Sequence, residues 1–150
     1  MLRRAAAGTA LAWTTPVILS AHSPVGAATG SACVPSMTRG WRSFSFGAVG
    51  TVALTRTRNF QAGGGFVDVT DAYLTGDVFT IAEDGTVCGD TSPAPNLGPG
   101  VWTNDADVAF SDARWSSGRF WFPPGTHTFT ITVAISPWGS GGGFWRWGRC

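Results

Sequence analysis

Alternation of apolar and polar side chains is the dominant pattern along this chain. It is clearest over residues 126–136, where threonine, alanine and serine fill one parity. The other parity is apolar apart from one histidine and holds His127, Phe129, Ile131, Val133 and Ile135. A period of two residues is typical of a strand with one buried face and one face in water. The pattern therefore predicts an antiparallel strand over residues 126–136.

Weaker alternation predicts seven further strands between turn-forming residues. These segments are residues 41–47, 49–58, 66–70, 77–83, 86–90, 117–122 and 144–147. Asp84-Gly85 predicts a type I′ hairpin turn, because both central positions of that turn need positive φ. One short helical turn is expected within residues 104–114, with Asn104 or Asp105 as its N-cap.

These elements together predict an all-β fold. A chain of 150 residues is expected to form one domain. About eight short strands separated by turns are typical of a single-domain antiparallel β-sandwich, and at this size a jelly-roll-like form is expected.

The N-terminal residues have the features of a secretory signal peptide. Arg3 and Arg4 precede a mostly apolar run, and small residues follow up to Ala28. Pro16 interrupts the run, so it is a poor membrane span, and no stable span is expected in the mature chain. We interpret residues 1–28 as signal peptide, 29–40 as a lead-in segment and 41–150 as the sandwich domain. The protein is therefore predicted to be extracellular.

The charge balance makes one class of partner unexpected. The chain has ten Lys plus Arg, all of them arginine, and nine acidic residues. Without residues 1–28, eight arginines face nine acids, a net charge of 8 − 9 = −1. Nucleic-acid binding depends largely on neutralising phosphates, so a nucleic-acid partner is not expected. The absence of lysine indicates a GC-rich genome, such as that of an actinomycete.

Three cysteines, Cys33, Cys88 and Cys150, bear on the expected compartment. An exported chain is expected to form a disulfide. The preferred pair is Cys33 with Cys88, because Cys150 is the last residue and chain ends tend to fray. The alternative pair, Cys33 with Cys150, would join the two ends of the chain.

Several short motifs recur in an order that is similar to a known family. They are VTDAYL at residues 69–74, GDVF at 76–79, DG at 84–85, GDTS at 89–92, DADVAF at 105–110, PGTHTFTI at 124–131 and GGGF at 141–144. Over about residues 44–146 the chain resembles small secreted bacterial and fungal β-sandwich proteins, some of which carry a PEP-CTERM sorting tail. The resemblance implies an exported sandwich of undefined function and no activity. Two departures are Cys88, where an aliphatic residue is usual, and a C-terminus without the apolar sorting helix, which predicts release.

No residue pattern predicts a catalytic centre. His127 lies on the apolar parity of its strand and is interpreted as a partly buried, hydrogen-bonded histidine. Glu83, beside the hairpin turn, is expected to be exposed, and no Gly-x-Ser-x-Gly elbow is present. A non-catalytic protein is therefore predicted. The alternative is a glycan-active hydrolase using aspartates, which needs two carboxylates about 5–9 Å apart across a cleft.

Four aspartates are candidate calcium ligands: Asp71, Asp77, Asp105 and Asp107. Calcium prefers clusters of carboxylate and carbonyl oxygens. The alternatives are turn formation for the first two and helix capping for the last two. Apart from this structural calcium, no cofactor is predicted.

Tryptophan supplies the candidate contact surface. Trp102, Trp115 and Trp138 lie in predicted loops or at strand ends, whereas Trp121 and Trp145 are interpreted as structural. Exposed aromatic rings stack on the apolar faces of sugars, and exposed apolar patches usually mark contact surfaces. The sequence therefore predicts a secreted module that binds polysaccharide or a cell-surface partner through loop tryptophans. The alternatives are that these rings cap an open end of the sandwich, or that the protein is a surface-assembly protein.

Overall fold

The computed structural model describes residues 36–37 and 40–150. The predicted signal peptide, most of the lead-in segment and Cys33 lie outside the described residues. Within the described part the chain forms one short helix, α1 (Ala106–Ser111), and eleven strands. The strands are β1 (Ser36–Met37), β2 (Arg42–Phe46), β3 (Val52–Phe60), β4 (Gly65–Asp71), β5 (Tyr73–Leu74), β6 (Val78–Glu83), β7 (Thr86–Asp90), β8 (Trp102–Thr103), β9 (Ser117–Phe122), β10 (Gly125–Ile135) and β11 (Gly141–Arg149).

The strands form two main sheets with antiparallel pairing throughout. One sheet has the order β2-β11-β4-β9, with β1 also paired to β11, and the other has the order β3-β10-β6-β7. Strands β5 and β8 form a separate two-stranded ladder. The predicted all-β antiparallel sandwich is confirmed. Eight of these strands have five or more residues and three have only two. The jelly roll stays an interpretation of this order, in which each main sheet takes strands from both halves of the chain.

A hydrophobic core lies between the two main sheets and receives side chains from both. The ring of Phe79 on β6 meets Phe44 and Phe46 on β2 edge to face, with centroids 5.3 Å apart in both pairs. Phe129 on β10 meets Trp145 on β11 in the same way at 5.5 Å. Such edge-to-face pairs add about 0.5–1.5 kcal/mol each beyond the area they bury. The inward face predicted for β10 is confirmed for Phe129, Ile131 and Val133.

Two local predictions are confirmed by backbone geometry. Asp84 and Gly85 join β6 to β7 and have positive φ angles of 45° and 87°. Asp105 is the N-cap of α1, since its side chain accepts hydrogen bonds from the Asp107 and Val108 amides. Both features are set by a few neighbouring residues, so local sequence suffices to predict them.

Strand β11 is longer than the predicted segment 144–147, because it includes the glycines expected to form a loop. Gly143 pairs with Phe44 and Asp71 on its two sides. A Cβ at Gly143 would lie 2.6 Å from Phe44 Cζ and 2.8 Å from the Thr70 carbonyl oxygen. Glycine is therefore present here because neighbouring groups fill the side-chain space, which is one reason for glycine inside a strand. Among the described residues, no helix is long and apolar enough to span a membrane.

Candidate functional site

Three exposed aromatic side chains, Tyr73, Trp102 and Trp138, form what we call the aromatic platform. Their exposed fractions are 36%, 56% and 38%. The rings of Tyr73 and Trp102 lie 6.2 Å apart between centroids, and Tyr73 and Trp138 line the same small cavity. Two of the three predicted contact tryptophans are therefore gathered around the only tyrosine of the chain.

A strand pairing and a hydrogen bond to the backbone hold the platform in place. The ladder between β5 and β8 sets Leu74 opposite Trp102. The Trp138 indole Nε1 donates to the Thr75 carbonyl oxygen at 3.2 Å. Tyr73 has φ of 65°, a left-handed conformation that is uncommon outside glycine and tends to occur at functional sites. Its ring lies against Gly142, where a Cβ would approach Tyr73 Cε2 to 2.8 Å.

The cavity at the platform has a volume of about 70 Å³. It is lined by Ala72, Tyr73, Leu74, Asp77, Trp138, Ser140, Gly141 and Gly142. Sites that enclose small molecules usually measure about 300–1,000 Å³. A ligand can therefore insert one small group here, while the rest of it lies on the exposed rings.

Asp71 and Asp77 form a buried acid pair beneath the platform. Asp71 Oδ1 accepts from the Ala72 amide at 2.7 Å, and its Oδ2 accepts from the Asp77 amide at 3.2 Å. Burial, and next the nearby charge of Asp77, raise the pKa of Asp71 to about 8. Burial also raises the pKa of Asp77. The pair therefore releases its protons at a higher pH than exposed aspartates do, as buried neighbouring carboxyl groups do elsewhere.

One oxygen of the acid pair lacks a partner. Asp77 Oδ1 is buried and completes no hydrogen bond, and Asp77 lines the cavity. The nearby Ser136 hydroxyl lowers the pKa of Asp77 and so offsets part of the rise that burial causes. Its Oγ is itself buried and completes no hydrogen bond of normal geometry. A buried acceptor without a donor costs about 1–3 kcal/mol. Because Asp77 lines the cavity, a hydroxyl or amino group inserted there would lie beside its carboxyl group.

The other two candidate calcium ligands are engaged elsewhere. Asp105 caps α1, as the capping alternative predicts. Asp107 Oδ1 accepts from the Trp41 indole at 2.8 Å and from Arg146 Nη1 at 3.0 Å. The structure thus brings Asp71 and Asp77 together but places Asp105 and Asp107 in different contacts. Calcium binding by Asp71 and Asp77 stays a prediction.

Two tryptophan predictions are wrong. Trp115, predicted as a loop contact, is buried, and its Nε1 donates to the Tyr73 carbonyl oxygen at 3.4 Å. It supports the platform from below because the turn after α1 directs its ring inward. Trp121, interpreted as structural, is 60% exposed, because on β9 its neighbours Phe120 and Phe122 take the inward parity. The structural interpretation of Trp145 is confirmed by its burial in the core.

The preferred disulfide is also wrong. Cys88 is a free, exposed thiol on β7. Strand β7 lies at the edge of its sheet, where a bulge between Ile81 and Ala82 shifts the register with β6. Cys88 therefore does not form the predicted bond with Cys33, and the alternative pairing of Cys33 with Cys150 remains.

The interpretation of His127 is confirmed, whereas that of Glu83 is wrong. The His127 side chain is mostly buried, and its Nε2 lies 3.0 Å from the Pro123 carbonyl oxygen. Glu83 was expected to be exposed, but it is only partly exposed and forms an ion pair with His127 Nδ1. The two residues meet because β10 pairs with β6 along the full length of β6.

Sequence reasoning missed Tyr73 as a site residue. Its uniqueness in the chain and its place in the VTDAYL motif are the available signals. Its exposed ring and left-handed backbone become visible only in three dimensions. Comparisons with known proteins found no matching family model and no significant match among curated proteins or solved structures. The family resemblance stays a prediction.

Proposed function

We propose that this protein is a secreted, non-catalytic binding module that contacts polysaccharide through the aromatic platform. The observation that carries the proposal is three neighbouring exposed aromatic side chains, two of which line a small cavity together with Asp77. The apolar faces of sugar rings stack on Tyr73, Trp102 and Trp138. A hydroxyl or amino group of the same sugar donates to Asp77 Oδ1. The apolar run after Arg3 and Arg4 supports export of the chain.

The size of the cavity supports a surface-binding mode. A volume of about 70 Å³ accommodates one substituent of a sugar and not the whole ring. The ligand is therefore expected to be a chain whose successive units rest on neighbouring aromatic rings. Exposed rings also favour an extended partner over a small enclosed metabolite.

Removal of the two platform indoles is expected to abolish most of the binding. We would measure pull-down on cellulose, chitin and peptidoglycan, and intrinsic tryptophan fluorescence with soluble polysaccharides. Each lost stacking contact of about 1.4 kcal/mol weakens binding about tenfold, so Trp102→Ala and Trp138→Ala should each weaken it by that factor. Trp121→Ala is the matched control, because it removes an exposed ring opposite Phe66 near the start of β4, whereas Tyr73 of the platform follows the end of β4.

Two outcomes would argue against this proposal. One is that the wild-type chain binds none of these polysaccharides in either assay. The other is that Trp121→Ala weakens binding as much as Trp102→Ala does. Circular dichroism of each variant checks that the fold is retained.

A glycan-active hydrolase is the second candidate, because a general acid that works near neutral pH needs a raised pKa, as Asp71 has. The arrangement of the acid pair disfavours it. Both carboxyl groups are buried, and the Asp77 backbone amide donates to Asp71 Oδ2 at 3.2 Å, so the two acids do not face each other across an open cleft. Glycosidase carboxylates are separated by roughly 5–9.5 Å. Release of reducing ends from a polysaccharide, lost in Asp77→Asn, would replace the binding proposal with this one.

We also propose that Cys33 pairs with Cys150. Strand β1 runs antiparallel to β11 with Ser36 opposite Arg149, so Ser36, three residues after Cys33 in sequence, pairs with the residue that precedes Cys150. Of the two cysteines that the structure describes, Cys88 is the free one. Thiol titration of the unfolded, unreduced chain should find one thiol, and Cys88→Ser should remove it. A peptide map in which Cys88 is cross-linked would exclude this pairing.

A further inference from the structure

Glu83, Asp84 and His127 meet beside the hairpin that joins β6 to β7. None of them lines the cavity at the aromatic platform. Among the described residues they are the one group of three metal-ligating side chains, and their ligand atoms all lie within 4.8 Å of one another. Two carboxylates and one imidazole are a ligand set suited to zinc and similar divalent cations.

The turn fixes the position of Asp84 against β10. The Asp84 amide donates to the Thr128 carbonyl oxygen at 2.8 Å, and the Thr128 amide donates to Asp84 Oδ1 at 3.1 Å. These two bonds hold the carboxylate beside the start of β10 and leave Oδ2 available. Glu83, the last residue of β6, brings its carboxylate to His127 Nδ1. The ligands therefore come from paired strands and a tight turn.

The tautomer of His127 follows from its second contact. The Pro123 carbonyl oxygen, 3.0 Å from Nε2, only accepts hydrogen bonds, so Nε2 carries the hydrogen. In neutral His127 the lone pair is then on Nδ1, which faces the Glu83 carboxylate. Two electron-rich atoms in contact repel each other. Nδ1 and the Glu83 carboxylate therefore present two ligand atoms to one point, where a cation would contact both.

We propose that Glu83, Asp84 and His127 bind one divalent transition cation, such as Zn²⁺, through His127 Nδ1 and one oxygen of each carboxylate. A histidine that binds a metal usually donates its other ring N–H to a carbonyl or carboxylate, as His127 does to Pro123. Three protein ligands leave a fourth position for water or a ligand atom. Small rotations of the side chains open the space that the metal needs.

Two neighbouring groups define the electrostatics of the site. The exposed Cys88 thiol is not one of the three side chains whose ligand atoms lie within 4.8 Å of one another, so it is not counted among the ligands. Arg58 lies opposite His127 on β3, with its guanidinium over the rings of Trp145 and Trp147. This cation lowers the affinity below that of an isolated site, so we expect binding in the micromolar range, about −8 kcal/mol.

The experiment is a titration of the chain with Zn²⁺ by calorimetry and with Co²⁺ by visible absorption. It is done in a Cys88→Ser background, which removes the free thiol as a competing ligand. One ion per chain is expected, and Co²⁺ should give the absorption bands of a low-coordinate site. Zn²⁺ should shift the NMR signal of His127 Nδ1, while the hydrogen on Nε2 stays in place. Asp84→Asn, which keeps an oxygen for the Thr128 amide, should weaken binding at least tenfold.

The control variant is Asp112→Asn, which removes an exposed carboxylate beside Arg114 and should bind as the parent chain does. A metal concentration of about 100 µM is about a hundredfold above the expected Kd. If no stoichiometric ion binds at that concentration, the proposal is overturned. Equal affinity in Asp84→Asn and Asp112→Asn would also overturn it. His127→Gln tests the imidazole. Loss of binding in that variant supports the proposal when Asp84→Asn, which retains the hairpin contact, also loses binding.

Discussion

Replacing Asp68 with alanine is expected to lower the free energy of unfolding by about 3 kcal/mol. Asp68 is fully buried on β4 and accepts hydrogen bonds from two arginines. Arg119 donates to it from Nε at 2.7 Å and from Nη2 at 2.9 Å, and Arg146 donates from Nε at 3.0 Å. Without the carboxylate, two guanidinium groups face each other across β4 with no anion between them.

The position of Asp68 in the sheet explains why relaxation cannot easily relieve this loss. Arg146, Asp68 and Arg119 form one row across β11, β4 and β9. Arg146 is fixed further, because its guanidinium lies 4.0 Å from the Trp41 ring centroid and also donates to Asp107. Arg119 keeps 41% of its side-chain surface exposed, so we expect the lower end of the range for a broken buried ion pair.

Urea unfolding followed by fluorescence measures this loss. Asp112→Ala is the matched control, because it also removes a carboxylate paired with an arginine, but on the surface. Exposed pairs contribute little to stability, so its transition should stay close to that of the wild type. Equal destabilisation by the two substitutions would show that the buried row has no special role.

Raising the pH from 4 to 8 is expected to destabilise the protein through the acid pair. In the unfolded chain an aspartate has its ordinary pKa of 3.8, whereas in the folded chain the pKa of Asp71 is about 8. Between these values the folded state holds a proton that the unfolded state has released. The stabilisation is therefore complete below about pH 4 and is lost as the pH rises through 8. The slope reaches at most about 1.4 kcal/mol per pH unit.

Asp77→Asn tests the origin of this slope. The asparagine keeps the shape of the side chain and removes the charge that, after burial, is the second cause of the raised pKa of Asp71. We expect the slope between pH 5 and 8 to become shallower and the stability at pH 8 to rise relative to the wild type. Asp112→Asn should keep the wild-type slope. The same slope in both variants would rule out the acid pair as its source.

Local sequence predicted those features of the fold that depend on neighbouring residues. Alternation over residues 126–136 predicted β10, because a strand with one buried face needs apolar side chains at every second position. Asp84-Gly85 and Asp105 predicted a turn and a helix cap, since each needs only two to four consecutive residues. The sandwich followed from the number and spacing of such elements.

The candidate site could not be predicted in the same way, because distant segments build it. Tyr73, Trp102 and Trp138 are far apart in sequence and meet only through the β5–β8 ladder and the turn before β11. Asp71 accepts the backbone hydrogen bonds expected of a turn residue, but only the fold shows that it and Asp77 are both buried. Gly143 looked like part of a loop because the Phe44 ring that fills its side-chain space lies on another strand.

The most direct test of the platform is a titration of the ¹⁵N-labelled chain with the polysaccharide that it retains, followed through the indole N–H signals. Each tryptophan reports on its own surroundings in one spectrum, so the internal controls are built in. The signals of Trp102 and Trp138 should shift to saturation, while the buried Trp115 and Trp145 and the exposed Trp121 stay in place. A shift of Trp121 as large as that of Trp102, or no shift of Trp102 and Trp138 at saturation, would contradict the proposed contact surface.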